Sequence, residues 1–200
     1  MHRSPTASAL ASVDVLTSSS DARPTPAGPG ASGADQAAGY RCPFCTIAAG
    51  GETPFNTQGD IVRQNELAIA LICPRWWPRN KGHVLIVSRF HFESIYDLPK
   101  EHGHAAQDLI QEVAIAIRNS YDCHGVSIRQ HNEPAGGQDV PHYHAHAFPR
   151  FPRDELYSSQ PIPGFVTTAE RHLYAQRLRQ YFQDRRVGVG PVGVLPDRRP

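Results

Sequence analysis

The apolar and polar positions mark out a block of regular elements in the middle of the chain. Ile61-Val62-Arg63 and Leu67 to Ile72 read as two strands, separated by a turn at Gln64-Asn65-Glu66. Trp76-Trp77-Pro78 and Arg79 to Gly82 form a loop. His83 to Ser88, rich in Val, Ile and Leu, reads as a buried strand. From Leu98 or Pro99 to about Tyr121, apolar residues recur at Leu109/Ile110, Val113/Ala114 and Ile117, which is a helical period. Pro99 is tolerated in the first turn of that helix, and His102 and His104 are expected on its solvated face. Gly125 to Asn132 supplies a fourth strand, His142 to Phe148 a fifth, and Thr168 to Phe182 a second helix. Strands gathered around one long helix predict an α+β fold with a mainly antiparallel sheet of about five strands.

The flanks differ in kind. Residues 1–39 are rich in Ala, Ser, Gly, Pro and Thr without a sustained period, too little apolar surface to offset the entropy of ordering. From Arg185 onward Gly188, Gly190, Pro191, Gly193 and Pro196 interrupt any element. The expected organisation is a disordered N-terminal tail over 1–39, one domain over 40–184 and a flexible tail over 185–200. Ser8, Ser12 and Asp14 break the stretch from Ala7 to Leu16, so no secretory signal is expected, and no membrane span. A formal charge of +1, with acids and bases interspersed, provides no basic field for nucleic acid. Of the four cysteines, Cys42 and Cys45 form a C-x₂-C pair, while Cys73 and Cys123 stand alone. Without a secreted context these read as reduced thiols in a cytoplasmic protein.

The chemistry concentrates in Pro141-His142-Tyr143-His144-Ala145-His146-Ala147-Phe148-Pro149. On a strand, alternate side chains share a face, so His142, His144 and His146 point one way. Tyr143, Ala145 and Ala147 point the other way, small enough for a second layer to pack closely. On a helix the same histidines would diverge by about 200° per step. The flanking prolines are expected to cap a short strand. Neutral imidazole is both a metal ligand and a base or nucleophile near working pH, so the row admits either chemistry. The preceding polar loop, His131 to Val140 with Gly136-Gly137, is suited to hold an oxyanion against backbone N–H groups.

Together these residues resemble the histidine-triad (HIT) family of nucleotide hydrolases and transferases. Its signature is His-φ-His-φ-His-φ-φ, φ being apolar, preceded by an Asn and a Gly-Gln pair. This chain offers Asn132, Gly137-Gln138 and His142 to Phe148. Upstream it adds Cys42-Pro43-Phe44-Cys45, Gly82-His83 with its apolar run, and His91-Phe92-Glu93-Ser94. The resemblance covers about residues 42–152 and implies a homodimer acting on a nucleotide substrate.

By that resemblance His144 is the nucleophile, forming a phosphoramidate that water then hydrolyses. His146 would bond the non-bridging oxygens, and Asn132 and Gln138 would add neutral polar contacts at a backbone made accessible by Gly136 and Gly137. His83 is either a partner that fixes a tautomer or an ordinary histidine at a strand start. His144 is expected to be half-exposed. Cys42 and Cys45 are half of a structural zinc site, which needs two more ligands. The resemblance supplies His91 and His142. Family members commonly carry Asp or Asn eight residues before His83, to accept from ribose hydroxyls. Here that position is Arg75, a pure donor suited to phosphate or base stacking. Two rival readings stay open: a hydrolase holding catalytic zinc on the histidine row, and a nucleotide-binding protein without turnover.

Overall fold

A computed structural model describes residues 40–186, and the expected tails fall largely outside them. The elements are α1 (Pro43–Ala48), β1 (Ile61–Gln64), β2 (Ala68–Ile72), β3 (Val84–Ser88), α2 (Lys100–Ser120), β4 (Gly125–Gln130), β5 (His144–Arg150) and α3 (Thr168–Arg186). The five strands form one antiparallel sheet in the order β1-β2-β3-β5-β4, so β5 lies inside it with a neighbour on each side. The α+β reading holds, with its one long helix and C-terminal helix.

Alternation along the strands divides the core. Ala68, Ala70, Ile72, Val84, Ile86, Tyr143, Ala145 and Ala147 face α2, where Leu109, Ile110, Val113 and Ile117 form the buried stripe expected from the helical period. Burying each of these large aliphatic side chains contributes roughly 1.5–3 kcal/mol. Ile69, Leu71, Leu85 and Val87 face the other way, towards Phe44 and Ile47 of α1. The alanines of β5 therefore serve α2, and its histidines serve the opposite face.

Local chemistry sets the joints. Asn65 Oδ1 accepts from the backbone N–H of Leu67 and Ala68 (3.0 and 2.7 Å), which turns β1 into β2. Gly82 has φ +73°, and an added Cβ would fall on the Tyr174 ring, so this position requires glycine twice over. Arg171 of α3 donates to buried Asp60 at 3.0 Å, and Asp60 also accepts from Asn56 and from the Thr57 backbone. Beyond β5, buried Asp154 accepts from Arg150 Nε and Nη2 (2.7 and 2.8 Å), Asn80 Nδ2 (2.8 Å), and the backbone N–H of Phe151 and Leu156 (2.9 and 3.2 Å). That single carboxylate ties the turn after β5 to the loop before β3.

Three boundaries and one short helix differ from the sequence reading. β5 begins at His144, so His142 precedes the strand in a turn closed by its own N–H on Val140 O (2.8 Å). At the far end Pro149 lies within the strand rather than capping it. Pairing with β3 stops at Ala147, beyond which a missing N–H costs the ladder little. α3 continues to Arg186, past the boundary drawn at 184. The six-residue α1 is too short to show a period, so the pattern of the chain does not announce it. His102 also departs from its expected solvated position: its ring lies 5.2 Å from Phe90 and 4.9 Å from Phe92.

Candidate active site

β5 carries His144 and His146 on the face away from α2, paired with Val87 and Leu85 of β3. His144 Nδ1 lies 2.7 Å from the His142 carbonyl. A carbonyl only accepts, so Nδ1 carries the proton and Nε2 is left with its lone pair directed outward. His144 is 2% exposed, not half-exposed as expected, because Phe44 of α1 packs against its ring at 5.2 Å. His146 Nδ1 faces His83 Nε2 at 3.4 Å, which makes His83 the neighbour that orients His146. Burial holds both imidazoles neutral: His146 is lowered to about 3 and His83 well below the usual range.

His142 turns away from this pair. Its Nε2–H donates to Ser88 O at 2.8 Å, which directs the Nδ1 lone pair at Cys42 and Cys45 Sγ, 3.3 and 3.6 Å away. Cys45 Sγ also lies 3.3 Å from His91 Nδ1. α1 produces this convergence, since Cys42 caps it and Cys45 sits one turn in. The proton shared between the two thiols sits on Cys45, whose hydrogen bond pulls Cys42 well below the usual thiol range while Cys45 is pushed up. Tetrahedral zinc with Zn–S near 2.3 Å and Zn–N near 2.0–2.1 Å places its ligands roughly 3.3–3.8 Å apart. The separations found here match, so Cys42, Cys45, His91 and His142 fit a closed structural zinc site. The histidine row itself does not converge: no group of described residues able to hold a metal contains two of its members.

The loop before β5 is held by the residues expected to touch substrate. Gln138 Oε1 accepts from Glu133 N (2.6 Å), and its Nε2 donates to Glu93 O (2.6 Å). The first bond secures Glu133 at φ +61°, a conformation non-glycine residues rarely adopt. Asn132 Oδ1 accepts from Ile95 N at 2.8 Å, and Gly137 takes φ +87° beside the His131 ring. Asn132 also exchanges amide hydrogen bonds with the Gln130 side chain (2.9 Å each), so Asn132 and Gln138 both hold the loop in this structure.

Two further residues reach the site without any mark in the sequence. Asp139 Oδ1 lies 3.6 Å from His144 Nε2, and its side chain is 67% exposed. When His144 carries a proton on Nε2 as well, its hydrogen bond holds the Asp139 carboxyl below the usual range. Arg129 of β4 stands opposite His146, with its guanidinium 4.9 Å from the centre of Phe148 and 4.4 Å from that of Tyr157. Trp77 meets the same wall, 5.3 Å from Phe148 and 5.7 Å from His83, whereas Trp76 is core. Arg75 is exposed on the loop after β2.

The family model for the HIT domain matches residues 56–153. The chain is 30% identical over 122 residues to Protein hit of Bacillus subtilis, an alignment covering 59% of this chain and 77% of that relative. It is 25% identical to Adenylylsulfatase HINT3 of Arabidopsis thaliana over 60% of this chain and 58% of that protein. Among solved structures, a Zn-bound histidine triad family protein from Mycobacterium smegmatis superposes with a TM-score of 0.60 at 25% identity, covering 74% of this chain and 96% of that one. An antiparallel sheet presenting alternate histidines beside a Gly-Gln loop defines the histidine-triad class. The chain belongs to the HIT family. Among the described residues no helix is long and apolar enough to cross a membrane.

Proposed function

We propose that the chain is a hydrolase or transferase of nucleoside phosphate derivatives, phosphoramidates or dinucleoside polyphosphates, working through a covalent nucleotidyl group on His144. The observation that carries this reading is the 2.7 Å contact between His144 Nδ1 and the His142 carbonyl. It fixes one tautomer, and the resulting imidazolium is stabilised when Nε2 acquires a bond.

In the first step Nε2 attacks phosphorus. The Nε2–P bond forms, and the bond to the leaving group breaks with its electron pair. In the second step water attacks phosphorus, the Nε2–P bond breaks, and the water proton passes to solvent. His146, neutral and half-buried, serves the non-bridging oxygens, with Arg129 behind it as the cation that offsets phosphate charge. Asn132, Gly137 and Gln138 shape the loop that receives the phosphate. Asp139 occupies the line of approach to Nε2 and must swing aside, which its exposure permits. Trp77, Phe148 and Tyr157 provide an aromatic wall for the nucleoside, and exposed Arg75 a contact for a further anionic group. Cys42, Cys45, His91 and His142 would hold a zinc that pins α1 and the loop to the sheet, away from His144 Nε2. Edge strand β4 leaves one side unpaired, the side through which two copies would join as a homodimer.

The test is to incubate the protein with an adenylated amine, quench in mild base and measure intact mass. A nucleotidyl adduct mapping to His144, absent from His144→Asn, is expected. Turnover without such an adduct would overturn the covalent mechanism and favour metal-activated water, and binding without turnover would reduce the chain to a nucleotide-binding protein.

A further inference from the structure

We propose that Cys73, His83 and His146 form a second metal site, inside the catalytic face and separate from the Cys42 cluster, that takes a thiophilic d¹⁰ ion such as Zn²⁺ and withholds His146 from substrate when filled. The register produces it. Ile72 pairs with Val84, so Cys73 and His83 stand opposite each other, joined by the Cys73 N–H on His83 O at 2.9 Å. Val84 pairs with Ala147 and Leu85 with His146, which puts His146 diagonally next to His83 on that face. One ligand atom from each of the three residues lies within 4.8 Å of the other two. The His83–His146 nitrogen separation of 3.4 Å is close to the spacing of two imidazoles on one tetrahedral zinc, about 3.3 Å from Zn–N lengths.

A second observation points to a ligand. His83 is 0% exposed, and among the described residues its Nδ1 has no hydrogen-bond partner; with the ring proton on Nδ1, Nε2, which faces His146 Nδ1, presents its lone pair to an ion. Both imidazoles are neutral and ready to donate lone pairs, and the set of one sulfur and two nitrogens favours a thiophilic ion over Mg²⁺ or Ca²⁺. Cys73 binds as the thiolate. Burial raises its thiol to about 12, so one proton passes to solvent as the ion enters at neutral pH. The fourth position stays open to the cleft, where a solvent or phosphate oxygen completes the tetrahedron. His146 is the residue common to this site and to the proposed phosphate contacts, so filling the site competes with turnover.

The experiment uses the full chain already carrying one zinc per subunit and adds Co²⁺ alone. A further equivalent is expected to bind with a thiolate-to-cobalt charge-transfer band, which Cys73→Ser abolishes or weakens at least about tenfold in affinity. If Cys73→Ser does not fold, cadmium NMR of the unmodified protein decides. Two resonances, one from a two-sulfur and one from a one-sulfur site, support the proposal, and a single resonance overturns it. A second equivalent without a thiolate band, or one indifferent to Cys73→Ser, also overturns it. Competition with turnover rests on the proposed function, whereas the band does not. A band without any His144 adduct would keep the metal site and sink the covalent reading, and an adduct without a band would do the reverse.

Discussion

Replacing Asp154 with alanine removes the acceptor for five hydrogen bonds, three from side chains and two from backbone. A net hydrogen bond is worth about 0.5–1.5 kcal/mol, and one to a charged group about 1.5–3. Arg150 keeps a quarter of its side chain in water and rehydrates when released, so its two bonds count at the low end. Asn80 is fully buried but retains Pro149 O at 2.8 Å. The expected loss is about 3–4 kcal/mol, or roughly 10 °C in Tm for a chain of this size. Urea unfolding at pH 7 should show a lower midpoint with an unchanged slope.

The pH dependence gives a second handle on the same carboxylate. Arg150, and then the backbone of Phe151, hold it well below the usual carboxylate range. Its folded pKa is depressed, so its contribution is complete above the unfolded value of about 4 and is lost as pH falls towards the folded one. The stability gap between wild type and Asp154→Ala should therefore narrow progressively below about pH 4. A loss under about 1 kcal/mol at pH 7, or a gap that stays constant down to pH 3, would refute this account.

Four further outcomes are expected. Asp139→Ser removes a like charge from the approach of an anionic substrate and should lower KM about two- to fivefold, the discounted value for an exposed charge; an unchanged or higher KM counts against its blocking position. Gln138→Ala frees Glu133 from its strained conformation and should slow turnover by about 10²; a rate within error of wild type would remove Gln138 from the site. Protein purified without chelator should carry about one zinc per subunit by metal analysis, and Cys42→Ser with Cys45→Ser should lower Tm more than the rate of the folded remainder. With Arg75 where an acceptor would read the ribose, adenosine and deoxyadenosine phosphoramidates should differ less than tenfold in kcat/KM, about 1.4 kcal/mol, and a larger preference would assign ribose recognition to another group.

How much is legible in the chain follows from the range of each signal. Alternation over His144-Ala145-His146-Ala147 is local, and by itself it sorts histidine face from core face. The helix over residues 100–120 announces itself through several turns of period, while α1 offers fewer than two. Arg129 and Cys73 carry no local mark. The first becomes a neighbour of His146 only through the β4–β5 register, and the second a neighbour of His83 only through β2–β3. Asp139 is a lone acid in a polar loop, and only the fold of that loop points it at His144. His142 is legible as a ligand by resemblance to the family, but its turn out of the strand is not.

The same alternation bears on which length changes the gene can tolerate. A one-residue slip of β5 against β3 would send His144 and His146 into the layer occupied by Leu109 and Ile117, and bring Ala145 and Ala147 into the cleft. Both core and chemistry would fail together, with no partly active intermediate. In a library of single-codon insertions and deletions, positions 144–147 should thus be empty among folded clones, not merely among active ones. The exposed stretch from Glu133 to Gly137 should separate the two properties, yielding clones that fold but do not turn over.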